Sequence, residues 1–97
     1  MEAQHTTGHF KGDSGLQLFY QCWRPTGISR AILVFIHGIG EHSDRYQFPV
    51  AYFTNREFTV YTMDLRGHGN SEGRRAYADS LEQLIEDISS LLTNYAF

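Results

Sequence analysis

The stretch AILVFIHGIG, residues 31–40, decides how this 97-residue chain is expected to fold. Its first six residues are all apolar, which is the pattern of a strand covered on both faces in a parallel sheet. Gly38 and Gly40 flank Ile39 and allow the backbone to turn sharply directly after this strand. Such a turn can aim the Ile39 N–H at a negative charge that develops during a reaction. The stretch therefore predicts an α/β fold with a functional loop at the end of a buried strand.

The segments around this stretch predict a β-hairpin followed by a strand–helix–strand unit. The predicted elements are, in chain order, a strand starting near 10–11, a turn at 12–15, strands at 16–23 and 31–36, a helix within 44–56 and a strand at 59–63. Pro49 fits only in the first turn of a helix, so the helix is expected to begin after Asp44. The last three elements span about 30 residues, as a βαβ unit requires.

Residues 81–95 form the clearest predicted helix. Its apolar stripe consists of Leu81, Leu84, Ile85, Ile88, Leu91, Leu92 and Tyr95. The acidic side chains Glu82, Glu86 and Asp87 are expected to face away from this stripe. Ser80, followed three residues later by Gln83, predicts a capping box at the helix start.

Composition limits the classes of function that this chain can have. The net charge of −3 excludes a basic surface for nucleic acid, and 41% hydrophobic residues favour a globular domain over a disordered one. A single cysteine, Cys22, excludes an internal disulfide, and the histidine spacing does not match a metal site. The polar N-terminus resembles no signal peptide, and no apolar stretch reaches the ~20 residues of a membrane span. We therefore expect a cytoplasmic chain without a transmembrane segment, and contact with a membrane surface stays an open alternative.

A second glycine-rich stretch, DLRGHGNSEG at 64–73, follows the last predicted strand. Together with HGIGEHSDRY at 37–46, it resembles the α/β-hydrolase superfamily, in particular the monoacylglycerol lipase and lysophospholipase branch of serine aminopeptidase-like hydrolases. The hairpin sequence GLQLFYQCWRP at 15–25 resembles the same branch. The resemblance implies four strands of an incomplete, mostly parallel sheet. It also implies that 1–97 is the N-terminal portion of one domain, without the nucleophile elbow, the lid and the remaining catalytic triad.

The resemblance also implies roles for residues of both stretches, but no catalytic side chain, cofactor or metal ligand in this chain. The Ile39 N–H is expected to be one of two oxyanion-hole donors, supported by His37, Gly38 and Gly40. Glu41 and Arg45 are expected either at the polar end of a substrate pocket or as an exposed pair at a helix start. The residues expected to build a structural loop are Asp64, Arg66, Gly67, His68 and Gly69.

Ser71 lies in the segment GNSEG at 69–73, which formally matches the G-x-S-x-G nucleophile motif. A nucleophile elbow requires a strand that runs directly into the serine and a helix that starts right after it. Here a glycine-rich loop precedes Ser71, and the residues that follow it do not begin an apolar helix. We therefore expect Ser71 to be structural.

Three functions stay open at this point. The resemblance implies hydrolysis of esters such as monoacylglycerols or lysophospholipids by the complete enzyme, with this chain inactive alone. A short non-enzymatic product could instead pair with other chains, and the isolated chain is expected to aggregate or oligomerise through the strand 31–36. A dinucleotide-binding βαβ unit is the third reading, since Gly38, Gly40 and Ser43 approximate its fingerprint and Asp64 ends the next strand.

Overall fold

A computed structural model describes residues 4–37 and 47–96 and contains a four-stranded sheet with two helices. The elements are β1 (Gln4–Lys11), a 3₁₀ turn (Asp13–Gly15), β2 (Gln17–Arg24), β3 (Ala31–Ile36), α1 (Gln47–Thr54), β4 (Phe58–Met63), α2 (Leu81–Leu91) and a π-helical turn (Leu92–Ala96). The hairpin followed by β-α-β-α is the architecture that the sequence predicts. Among the described residues, no helix is both long and apolar enough to cross a bilayer.

The strand order in the sheet is β1-β2-β4-β3. β2 pairs antiparallel with β1 and with β4, whereas β3 and β4 are parallel neighbours. Ile36 lies opposite Met63 in the parallel pair, so β3 and β4 end side by side. The residues that follow these two strands therefore leave the sheet at the same edge.

The observed bounds of β1 and α1 differ from the predicted ones. A strand starting near Phe10-Lys11 is wrong, because β1 begins at Gln4 and ends at Lys11. Most β1 side chains are polar and exposed, so no apolar alternation marks a strand whose stability comes from its ladder with β2. Pro49 lies in the first turn of α1 as observed, and residues 44–46 lie outside the described residues.

The two helices pack on opposite faces of the sheet. Phe53 of α1 contacts Phe35 of β3, with ring centroids 5.8 Å apart. On the other face, Leu91 of α2 closes the main apolar cluster, which consists of Phe10, Leu18, Cys22, Tyr61, Met63, Leu65 and Leu91. Burial in this cluster raises the pKa of the Cys22 thiol, so the thiolate is disfavoured.

β3 is less covered than its sequence predicts. Ile32 and Ile36 are 40% and 36% exposed, although both lie on the same face of the strand as Val34, which packs against the apolar cluster. β3 is the last strand of the described sheet on its side, and α2 packs against β1 and the 3₁₀ turn at the opposite side. Position in the sheet, and not composition, leaves these side chains exposed.

α2 is turned differently from the orientation that its apolar stripe predicts. Asp87 is completely buried, which corrects the expectation that it faces away, while Leu81 and Ile85 are 68% and 52% exposed. The predicted cap is present: the Gln83 N–H donates to Ser80 Oγ at 3.1 Å, but the Gln83 side chain accepts from Asp79 N–H instead of Ser80. The physical reason for the burial of Asp87 is a buried arginine, described below.

Candidate functional site

The candidate site lies where β3 and β4 end, since both glycine-rich stretches start there. The predicted oxyanion donor and its neighbours, Gly38, Ile39, Gly40, Glu41 and Arg45, lie outside the described residues. Their roles therefore stay predictions. The described part of the site consists of His37, at the end of β3, and the residues from Asp64 to Gly73, which we call the β4 loop.

His37 is anchored to the start of the β4 loop. Its side chain is buried, and its Nε2 accepts the backbone N–H of Leu65 at 2.8 Å. A ring nitrogen that accepts a hydrogen bond has no proton, so Nε2 holds the backbone and does not donate. This bond joins the last described residue before the predicted Gly38–Gly40 turn to the start of the β4 loop. The role of His37 as a support of the predicted turn stays a prediction, and this bond is consistent with it.

His68 packs beside His37 in the same buried layer. Their ring centroids are 5.1 Å apart, and His68 Nδ1 lies 3.0 Å from the carbonyl oxygen of Arg66. A carbonyl only accepts, so Nδ1 is the protonated nitrogen that donates this bond. His68 thus closes the β4 loop on itself and packs against His37.

Asp64 is a buried acceptor within its own loop. Its Oδ2 accepts the Asn70 N–H at 3.0 Å, and its own N–H donates to Phe19 of β2 at 2.9 Å. Gly69 crosses so close to this carboxylate that an added Cβ would collide with it, and its φ of 48° is left-handed. Buried and bonded to its own loop, Asp64 is poorly placed to contact the ribose that a dinucleotide-binding unit would bring.

Gly67 needs its lack of a side chain for a second close approach. Its φ is 75°, and an added Cβ would collide with the Arg74 carbonyl. Its N–H donates to Glu72 and its carbonyl accepts from Ala76, both at 2.9 Å. These bonds fold the β4 loop into a fixed structure without helix or strand.

Ser71 continues the hydrogen-bond ladder of the sheet. Its Oγ accepts the Phe19 N–H at 2.8 Å and donates to the Asp64 carbonyl in a short hydrogen bond. The next residue repeats the pattern, because the Glu72 N–H donates to the Gln17 carbonyl at 2.9 Å. The hydroxyl that a nucleophile would need is therefore buried and used on both sides by the backbone, which supports the structural interpretation of Ser71.

Arg66 forms a buried ion pair that fastens the β4 loop to α2 and to the hairpin. Its Nε and Nη2 donate to Asp87 Oδ2 and Oδ1 at 2.7 and 2.9 Å. Asp87 Oδ1 also accepts the Asp13 N–H at 2.8 Å, and Nη2 donates to the Asp13 carbonyl at 3.1 Å. The hydrogen bonds to Asp87 raise the pKa of the Arg66 guanidinium above its usual range. We call Arg66, Asp87 and the Asp13 backbone the buried clasp.

Sequence reasoning missed Asp87 and the role of the Asp13 backbone. A signal was present, because Asp87 lies three residues after Leu84 and four before Leu91 and so shares their helix face. Over residues 4–37 and 47–96, no group of three or more histidine, cysteine or acidic side chains is arranged to hold a metal ion. The described site is a scaffold of buried, mutually bonded loops.

Several known proteins are similar to this chain in sequence or in fold. The family described as serine aminopeptidase, S33, matches residues 27–96. Monoacylglycerol lipase of Mycolicibacterium smegmatis is 35% identical over 83 residues, and human monoglyceride lipase is 34% identical over 80, which cover 86% and 82% of this chain. The solved structure of a lipase in its open form superposes with a TM-score of 0.79 at 25% identity and covers 95% of this chain.

The aligned regions cover only part of these relatives. They span 30% of the mycobacterial lipase, 26% of the human lipase and 33% of the solved lipase chain. On this chain, in contrast, the family match covers well over half of the residues and includes β3, β4, the β4 loop and α2. The chain belongs to the serine aminopeptidase S33 family of α/β hydrolases.

Proposed function

We infer that residues 1–97 are the N-terminal part of a serine ester hydrolase domain and supply one side of its oxyanion hole. The observation that supports this proposal best is the parallel pair β3–β4, whose ends lie side by side and are joined by the bond from Leu65 N–H to His37. Ligands of open α/β sheets bind outside the carboxyl ends of parallel strands. The Gly38–Gly40 turn starts at this edge.

In the proposed mechanism, a serine from another part of the domain attacks the ester carbonyl while a histidine base takes its proton. The Ile39 N–H donates to the oxyanion that forms, and Glu41 and Arg45 contact the alcohol end of the substrate. The proposed mechanism gives His37, Asp64 and His68 structural roles, since their described hydrogen bonds connect them to backbone groups of the scaffold. A single oxyanion donor contributes ~10²–10³ in rate.

The proposed substrates are monoacylglycerols or similar esters with a single acyl chain. The names of the mycobacterial and human relatives support this class, because both are lipases of monoacylglycerols. This part of the proposal is tested by comparing a monoacylglycerol with a triacylglycerol and a short p-nitrophenyl ester on the complete domain. Preference for the triacylglycerol would contradict it.

The chain by itself is proposed to be inactive. Ser71 is held between Phe19 N–H and the Asp64 carbonyl, so its oxygen is not available to attack an ester. We expect the purified chain to hydrolyse p-nitrophenyl butyrate no faster than buffer. A fluorophosphonate probe should leave Ser71 unlabelled under native conditions, and stoichiometric labelling at Ser71 would overturn this assignment.

Complementation tests the oxyanion role directly. We propose to co-express the chain with the remaining two thirds of the mycobacterial lipase and to measure esterase activity of the purified complex. Ile39→Pro removes the N–H and should lower kcat by ~10²–10³. Ile28→Pro, on an exposed residue of the loop before β3, is the matched control and should leave kcat unchanged. Equal activity of both variants would contradict the role of Ile39.

A second candidate function, strand pairing with another chain, is favoured by the exposure of β3. The strand carries no charge, Ile32 is exposed, and within the described residues no strand lies on the side away from β4. Uncharged apolar edge strands favour strand addition. We expect oligomers by light scattering after gel filtration, reduced by Ile32→Lys and not by Ile85→Lys, a control on an exposed helix residue. A monomeric unmodified chain would contradict this function.

A further inference from the structure

We propose that Arg66 and Asp87 are positioning residues whose buried clasp sets the position of His37, the residue directly before the predicted Gly38–Gly40 turn. The catalytic consequence rests on the proposed function, whereas the positioning itself is a property of this chain. The clasp lies outside the predicted oxyanion loop and is connected to it through the β4 loop and His37.

The clasp fixes the backbone at Arg66. A guanidinium that donates two parallel bonds to one carboxylate has its orientation and its distance defined. Both partners are shielded from water, with exposed side-chain fractions of 9% and 0%. The third bond, from Nη2 to the Asp13 carbonyl, ties the same guanidinium to the turn between β1 and β2. Arg66 is thus held from α2 and from the hairpin at once.

The backbone around Arg66 is connected to His37 in two ways, by a hydrogen bond and through the His68 ring. The residue before it, Leu65, donates its N–H to His37 Nε2 at 2.8 Å. The carbonyl of Arg66 itself accepts the bond from His68 Nδ1, and the His68 ring packs against His37. A shift of the Leu65–Arg66 backbone therefore moves both of these contacts with His37 together. His37 directly precedes Gly38, so its position defines where the predicted turn begins.

The packing around the Asp87 side chain leaves little room for another arrangement of the clasp. Gly12 passes Asp87 so closely that an added Cβ would meet Asp87 Oδ1 at 2.5 Å and would also collide with Leu18. Three hydrogen-bond donors point at the buried Asp87 carboxylate. The helix α2 would have to rotate about its axis to bring this carboxylate into water, and the Arg66 charge would then be left buried without a partner. This requirement explains why α2 leaves Leu81 and Ile85 exposed.

The test is Arg66→Lys, which keeps the positive charge but loses the two-pronged geometry and the bond to Asp13. Arg74→Lys, on an exposed residue shortly after the β4 loop, is the matched control. We expect Arg66→Lys to lower hydrogen-exchange protection of the Leu65 amide at least tenfold more than that of Val60 in the sheet centre. The ¹⁵N signal of His37 Nε2 should shift or broaden, while the signals of His5 and His9 stay in place.

A role in overall stability alone would give a different result, since it lowers protection of Leu65 and Val60 equally and leaves the native His37 signal unchanged. That result would overturn the proposal. If Arg66→Lys does not fold, the unmodified chain is measured by native-state exchange at low denaturant concentrations. Leu65 and Asp13 amides should then open together with the same denaturant dependence, and separate opening would overturn the proposal. None of these readouts uses ester hydrolysis, so a failure of the proposed function is recognised separately.

Discussion

The β4 loop and β3 differ in a way that their sequences do not suggest. The β4 loop and the strand end before it are rich in polar residues and glycine, yet all residues from 61 to 68 are buried. β3 is entirely apolar, yet Ile32 is 40% exposed and Ala31 is also exposed. Within the β4 loop, Asp64 to His68 and Ser71 are buried because their polar groups are hydrogen-bonded within the loop, to β2 or to Asp87 of α2, whereas the apolar strand lies at the side of the sheet where described elements are fewest. Burial in this chain thus follows satisfied hydrogen bonding and position as much as hydrophobicity.

The largest effect is expected from breaking the buried clasp. Asp87→Asn removes the charge that the buried Arg66 guanidinium needs, and such a loss destabilises a protein by ~3–5 kcal/mol. Urea unfolding followed by circular dichroism, at a fixed protein concentration, measures this change. Glu86→Gln removes the same charge one residue earlier on an exposed position and should stay within about 0.5 kcal/mol of the unmodified chain. Equal stability of the two variants would show that the clasp adds nothing.

A smaller effect is expected from adding one methyl group to the β4 loop. Gly69→Ala places a Cβ against the Asp64 carboxylate in a left-handed conformation, which should cost about 1–3 kcal/mol. Gly27→Ala is the control, because its Cβ would point into open space and its φ is not positive. Thermal unfolding of both variants gives the comparison. An unchanged midpoint for Gly69→Ala would show that the β4 loop adapts more easily than its contacts indicate.

The smallest effect is expected on the exposed side of α2. Ile85→Gln replaces a side chain that is 52% exposed, so the free energy of unfolding should change by no more than about 0.5 kcal/mol. Leu91→Ala on the same helix removes a side chain at the centre of the apolar cluster and should cost ~2–5 kcal/mol. A large loss from Ile85→Gln would mean that this face of α2 is covered in solution, for example by a second copy of the chain.

The sequence alone determined most of the elements and the family of this protein. The apolar run at 31–36, the β-rich run at 59–63 and the helical stripe from Leu81 specify their elements locally, because side-chain periodicity reports which faces can be buried. The two glycine-rich stretches specify backbone turns that other residues cannot adopt, as the left-handed Gly67 and Gly69 show. The structural role expected for Asp64 and His68 stays a prediction, and the hydrogen bonds that both make within their own loop are consistent with it.

Only the tertiary structure decided which side chains are buried and which groups meet. Asp87 enters the interior because Arg66, 21 residues earlier, is already there and needs a counter-charge. The length of β1 depends on its ladder with β2, and the exposure of Ile32 depends on the place of β3 in the sheet. Pairing between residues distant in sequence depends on the path of the whole chain. A periodic pattern carries no information about that path, so only the tertiary structure decided that Arg66 pairs with Asp87.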